Sequence, residues 1–336
     1  MTLNTGDQSP RTMPHPRSVL ILRGGALGDF VLTLPVLQSL RRTWPAARLH
    51  LAARSSARAL AVSCGLADEA HDIESASWAW LFEANPSGFE VPDADLVVSY
   101  IHDPDSIVSA NLARHYNRAV HLGVSPIIPV AGRRHAVDIF VEPLEKLGIK
   151  APDRVPRLLL PPKDREAVRQ LAAAWGGKFA VIQPGSGSPQ KNWPLTQFIA
   201  LARMIEAAGV KVFFLLGEAE TNMRAMVSQA WPPERVLDGI NLDEVARWLA
   251  ASAFYAGNDS GITHLAAALG TPVMSLFGPT DPSVWGPRGD GGISIMRAPA
   301  GRMAALELEF IWTSVLALIT SINHTASPDD RIQNPE

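Results

Sequence analysis

Twice along this 336-residue chain a short apolar run leads into a glycine-bearing loop, then an amphipathic stretch, then a second apolar run. The first copy reads SVLIL (18–22), RGGALGD, a helical pattern from about Phe30 to Arg42 stopped by Trp44-Pro45, and ARLHLAA. The second reads FAVIQ (179–183), PGSGSPQKNWP, LTQFIALARMIEAAG ending at Gly209, and VKVFFLLG. Runs that are apolar throughout, rather than alternating, describe strands covered on both faces, as parallel sheets are. Strand, loop, helix and strand in that order, twice over, predict an α/β chain of two units, each with a parallel sheet.

Between the copies lies APDRVPRLLLPPKDRE, with prolines at 152, 156, 161 and 162. Proline lacks a backbone donor and disfavours helix before it, so this stretch is the expected connector, with the boundary near residue 162. The expected division is 17–162 and 163–302, between polar tails at 1–16 and 325–336. A last helix over 303–324 is compatible with either half, including a return onto the first. Two units suit this length.

A hydrophobic fraction of 47% and a net charge of -3 describe a globular chain without electrostatic pull toward nucleic acid or an anionic membrane. The single cysteine, Cys64, excludes an internal disulfide and points to a reducing cytoplasm. The N-terminal stretch carries no export signal, and Arg23 and Asp29 interrupt the apolar segment that follows it, which argues against a membrane span.

The second half holds most of the candidate chemistry. In FYAGNDSGITHLAAALGTPV a strand turns at Asn258-Asp259-Ser260-Gly261 into a helix. The free amides of a helix start attract an anion; Gly261 allows close approach and Ser260 adds a hydroxyl. Asp259 and Ser260 also fit a plain capping role. The loop GSGSPQKNWP offers Ser186, Gly187 and the cation Lys191. Two such loops at the carboxyl ends of strands would clamp a nucleotide diphosphate. Glu218, after VFFLLG, is placed to accept ribose hydroxyls or to be a solvated loop residue. His264 stands near the same helix start, where a structural role is the commoner one for a lone histidine. The first loop lacks both the lysine of a P-loop and the full Gly-x-Gly-x-x-Gly pattern. Its carboxylate, Asp29, would repel phosphate but suits a proton acceptor.

RGGALGDFVLTLPVLQSLRRTWP, PGSGSPQKNWP and GNDSGITHLAAALGTPVMSLFGPTDP, in this order, resemble the signatures of the ADP-heptose:lipopolysaccharide heptosyltransferases, glycosyltransferase family 9. HAVDIFVEPLEKLGI resembles the stretch before that family's connector. The resemblance implies a GT-B fold, two Rossmann-like domains facing each other across a cleft, and inverting transfer of a sugar without a metal. It implies Asp29 as the catalytic base, and Lys191 as phosphate ligand and leaving-group support. It further implies Ser186, Gly187, Asp259, Ser260, Gly261 and His264 around the donor, with Glu218 toward the ribose. The co-substrate is then an ADP-heptose-like nucleotide sugar, with no other cofactor. The acceptor is a lipopolysaccharide-core-like glycolipid or oligosaccharide. Basic residues Arg133, Arg134 and His135 are candidates to meet it, and a peripheral contact with the inner-membrane surface is compatible with such a substrate. Within the three matching stretches there is no DxD-like pair and no local His/Cys cluster. It departs from the resemblance at Gly25, Ala26 and Leu32, where hydroxyl residues and a histidine are expected. Two other readings stay open on the same fold: a nucleotide-sugar epimerase, and a non-catalytic nucleotide-sugar-binding protein.

Overall fold

A computed structural model describes residues 15–324 apart from 85, 88, 129–132, 150–152 and 177. The expected tails, except residues 15 and 16, and Pro152 of the connector lie outside the described residues. The chain divides into two units, Met1–Pro156 and Arg157–Glu336, six residues before the expected boundary at 162. The reason is where the connector bonds. Arg157 makes a two-pronged contact with Asp290, at 2.6 and 2.9 Å, and the Leu158 N–H donates to the Ala268 carbonyl at 2.8 Å. The LLLPP stretch therefore belongs to the second unit.

The first unit contains β1 (Ser18–Arg23), α1 (Leu27–Thr43), β2 (Arg48–Ala53), α2 (Ser55–Ser63) and β3 (Glu69–Asp72). They are followed by β4 (Leu96–Ser99), α3 (Ile107–His115), β5 (Val120–Gly123) and α4 (Ala136–Lys146). The sheet order is β3-β2-β1-β4-β5 with every pairing parallel. Val19 through Leu22 are fully buried, which is what an uninterrupted apolar run in a central strand requires.

The second unit contains α5 (Pro162–Ala174), β6 (Phe179–Gln183), α6 (Leu195–Ala207), β7 (Lys211–Leu216), α7 (Arg224–Ala230) and β8 (Val236–Asp238). It continues with α8 (Leu242–Ala251), β9 (Phe254–Asn258), α9 (Gly261–Ala268), β10 (Val273–Phe277), α10 (Pro282–Trp285), β11 (Ile293–Arg297) and α11 (Leu308–His324). Its sheet is again all parallel, in the order β11-β10-β9-β6-β7-β8. In both sheets the strand order reverses beside the first strand of the unit, between β1 and β4 and between β6 and β9. Such switch points open a crevice at the carboxyl ends of the strands, where open α/β sheets bind ligands.

The last helix packs into the core of the second unit. Ile311, Val315 and Ile319 of α11, spaced by four, are buried in one core with Phe198, Leu201 and Ile205 of α6. That apolar stripe would be exposed without the second unit. Among the described residues no helix is long and apolar enough to cross a membrane.

Candidate active site

In the first unit the loop after β1 seats one carboxylate. The helix α1 begins at Leu27, three residues before the expected start, so Asp29 lies within its first turn. Gly25 has φ +94°, and a Cβ there would come within 2.5 Å of Asp29 Oδ2, so both the turn and the carboxylate require glycine. Asp29 Oδ2 accepts the Ala26 N–H at 2.9 Å, and Oδ1 faces Arg23 Nη2 at 3.3 Å.

Arg23 ends β1 with its side chain only 2% exposed, and a charge so buried needs partners. Its Nε donates to Thr33 Oγ1 at 2.8 Å, and its guanidinium lies 4.7 Å from the centre of the Phe140 ring. Burial pulls the guanidinium pKa down, and the Asp29 carboxylate opposes that pull. Arg23 thus anchors Asp29 from behind. Each carboxylate oxygen has room for a further hydrogen bond, and the Asp29 side chain is 33% exposed.

It is exposed to a cavity. A space of about 690 Å³ lies within this unit, lined by Arg23, Asp29, Tyr100, His102, Trp78 and Ile127 among others. Tyr100 and His102 follow β4, so the cavity sits at the sheet's switch point, and its size suits a small-molecule or oligosaccharide ligand. The Tyr100 hydroxyl donates to the Phe140 carbonyl at 2.7 Å, and burial raises its pKa.

In the second unit the loop after β6 and the turn after β9 are stitched together. The Asn258 amide donates to the Pro184 carbonyl at 2.7 Å, and its Oδ1 accepts the Trp193 N–H at 3.0 Å. Lys191 Nζ thereby reaches Asp259 Oδ2 at 2.8 Å, an oxygen that also accepts the Thr280 hydroxyl at 2.6 Å. His264, buried one turn into α9, has Nε2 3.9 Å from the other Asp259 oxygen. A lysine ammonium has three donors, and Lys191 keeps 28% of its side chain exposed beside the start of α9.

Several residues hold the loops rather than present themselves. Ser260 is the N-cap of α9, accepting the Thr263 N–H at 3.3 Å and donating to Gln183 Oε1 at 3.0 Å. The plain capping role thus holds for Ser260, while Asp259 serves Lys191 instead. The Ser186 hydroxyl is turned inward and donates to Asn192 Oδ1 at 2.6 Å. Gly187 is exposed, and Gly261 opens α9. Glu218 is exposed in the turn after β7.

The carboxylate that the sheet edge brings to the loop is Glu220, which the sequence reading passed over. It is fully buried, accepts the Gly217 N–H at 2.8 Å, and packs so tightly that a Cβ on Gly185 would lie 2.2 Å from Oε1. Burial raises its pKa, opposed by hydrogen bonds from the Gly217 N–H and the Gln183 side chain. Gly217, three residues before it, has no side chain to complete a capping box, so the sequence carries no such signal for Glu220.

Arg133, Arg134 and His135 do not line the cavity. His135 caps α4, its Nδ1 accepting the Val137 N–H at 3.2 Å, and Arg134 pairs with Glu142 at 3.0 Å on the surface. Arg133 takes a positive φ of 45° just before that cap.

The model of glycosyltransferase family 9 (heptosyltransferase) matches residues 109–307, more than half of the chain. The chain belongs to glycosyltransferase family 9. The family match takes in Lys191, Asp259 and the start of α9, while Asp29 lies upstream of it.

A lipopolysaccharide heptosyltransferase 1 of Salmonella typhimurium is 24% identical over 327 residues, covering 88% of this chain and 99% of that protein. A lipopolysaccharide heptosyltransferase 1 of Escherichia coli is 30% identical over 131 residues; the alignment takes in 39% of this chain and spans only 40% of that protein. The E. coli heptosyltransferase WaaC, solved with ADP-2-deoxy-2-fluoro heptose, superposes with a TM-score of 0.67 at 19% identity, covering 89% of this chain and 99% of that one. The fold of this family 9 chain is therefore GT-B, with two Rossmann-like parallel-sheet domains.

Proposed function

We propose that this family 9 chain is an inverting glycosyltransferase. In this reading it moves a heptose-like sugar from an ADP-sugar to a hydroxyl of a lipopolysaccharide-core-like acceptor, with no metal in the chemistry. The observation that carries the reading is Lys191, held by Asp259 at the switch point of the second sheet beside the start of α9. A departing nucleotide diphosphate gains negative charge as the anomeric bond breaks. An ammonium and a row of helix-start amides meet that charge, the task a metal performs elsewhere. The names of the relatives support the donor and acceptor classes: WaaC was solved with an ADP-heptose analogue, and the Salmonella protein is a lipopolysaccharide heptosyltransferase.

In this reading Asp29 takes the proton from the acceptor hydroxyl. The oxygen attacks the anomeric carbon opposite the leaving diphosphate, and that single displacement inverts the centre. Arg23 and Gly25 hold Asp29 toward the cavity of the first unit, whose wall of Trp78, Tyr100 and His102 is the surface proposed for the acceptor. The reaction needs both sites to act on one donor and acceptor pair. A peripheral station at the inner face of the cytoplasmic membrane, where such an acceptor is reached, belongs to the same proposal.

A panel of nucleotide sugars tests the reading, first by thermal stabilisation and then by acceptor-dependent release of nucleotide. ADP-sugars are expected to raise the melting temperature, since a ligand bound only to the native state stabilises it, and ADP release is expected to require acceptor. Donor turnover without acceptor would instead fit an epimerase, and binding with no turnover under any acceptor a non-catalytic protein.

A further inference from the structure

Away from both loops, three side chains of metal-ligand type converge on the outer strands of the first sheet. His50 of β2 stands opposite Glu69 of β3 in the parallel register, and His71 stands opposite Ala52. Alternate residues of a strand share a face, so His50, Glu69 and His71 lie on one side of the sheet. His50 Nδ1 is 3.3 Å from His71 Nε2 and 3.3 Å from Glu69 Oε2, and His71 Nε2 is 3.9 Å from the same oxygen. Ligand atoms around a tetrahedral zinc, with bonds of about 2.0–2.1 Å, stand roughly 3.3–3.5 Å apart. The triangle has nearly those dimensions. We propose that His50, His71 and Glu69 form a binding site for a divalent cation of the zinc class, with water in the remaining position.

Hydrogen bonding alone does not account for the convergence. One proton on His50 Nδ1 serves either His71 or Glu69, although both stand at 3.3 Å; a cation at the centre serves all three. The donor set is chemically apt, because two imidazoles and one carboxylate suit zinc, whereas calcium and magnesium take oxygen ligands. Arg48 pairs with Glu69 Oε1 and so turns Oε2 toward the rings, the kind of outer contact that orients a metal ligand. His50 is only 6% exposed, while His71 and Glu69 are 28% and 40% exposed, so the site has a buried floor and a solvent entry.

His50 and His71 are 21 residues apart, so the cluster exists only in the fold. A bound cation would clip the four-residue strand β3 to β2. It would also brace the His71 ring against Trp78, whose centroid is 6.0 Å away and which lines the cavity beside Asp29. The role is structural and separate from the transfer reaction, for which no metal is invoked.

The test uses the full chain after chelation and dialysis. Zn²⁺ binding is followed by calorimetry and melting temperature, and Co²⁺ binding by its visible absorption, in wild type, His71→Ala and Glu69→Gln. The expected result is one ion per chain with a raised melting temperature. Affinity should fall at least ~tenfold in each variant, beyond what loss of an outer-shell contact alone costs at its mildest. The metal-free melting temperatures of wild type and variants show whether each variant folds; should His71→Ala be destabilised, Glu69→Gln, which keeps the shape of the side chain, carries the comparison. Absence of Zn²⁺ binding in the wild type, or stoichiometric binding that survives in the folded variant, would overturn the proposal.

Discussion

The two units use one device to opposite ends. Each sheet leads its first strand into a glycine loop and a helix, and each places a charged side chain at the switch point. In the first unit that charge is Asp29, backed by an arginine that is almost wholly buried and facing a cavity of about 690 Å³. In the second it is Lys191, backed by an aspartate that is almost wholly buried and set beside a helix start. The buried partner has the opposite sign in each case and fixes the geometry, while the other partner keeps about a third of its side chain exposed. On the proposed roles, the difference means that a glycine loop after a strand does not by itself identify a phosphate site. The sign of the presented group decides whether it attracts a diphosphate or withdraws a proton.

The strongest way to break this division of labour is Asp29→Asn, which keeps the shape and removes the proton acceptor. It should lower kcat by about 10²–10⁴-fold, the weight of a general base, while donor affinity measured by calorimetry stays near wild type. Lys191→Ala should weaken donor binding and turnover together by about 10–100-fold, as expected for loss of a hydrogen bond from a charged group, ~1.5–3 kcal/mol. Steady-state kinetics against donor concentration checks it. Gly25→Ala sharpens the comparison on the Asp29 side, because a left-handed residue with a Cβ costs about 1–2 kcal/mol and displaces the carboxylate. Chemical denaturation should show that loss, and kcat should fall while the donor KM holds. The smallest effect belongs to Glu220→Gln. Burial raises the Glu220 pKa above its unfolded value, so the folded state holds the proton more tightly. Stability therefore declines as pH climbs from the ordinary carboxylate range through that raised pKa, and is level above it. The variant should flatten this decline in a series of melting temperatures taken from about pH 4 upward, with little change in donor affinity.

Much of the fold was legible because buried parallel strands are apolar throughout and glycine loops mark their ends. Both loops with their charged residues, Asp29 and Lys191, could be placed at strand ends from local pattern alone. What stayed hidden depends on strand order. Lys191 and Asp259 meet across 68 residues because β6 and β9 are neighbours, and Glu220 meets Gly185 because β7 flanks β6 on the other side. Glu218 and Glu220 differ by two residues, yet one is solvated and the other is sealed beneath the loop. Only the three-dimensional turn decides between them. The destination of α11 was hidden for a similar reason, since its apolar stripe fits any partner and the core of the second unit supplies it. In the basic run at 133–135, two side chains serve α4 as a cap and a surface ion pair, roles that the run of charge alone does not reveal.

The central claim, that the nucleotide diphosphate is held by the second unit and not by the first glycine loop, is tested most directly by hydrogen exchange with and without ADP. The account predicts slowed exchange in the amides of 184–193 and 257–264, and loss of that protection in Lys191→Ala. Protection confined to 23–30, with those two segments unchanged, would contradict it.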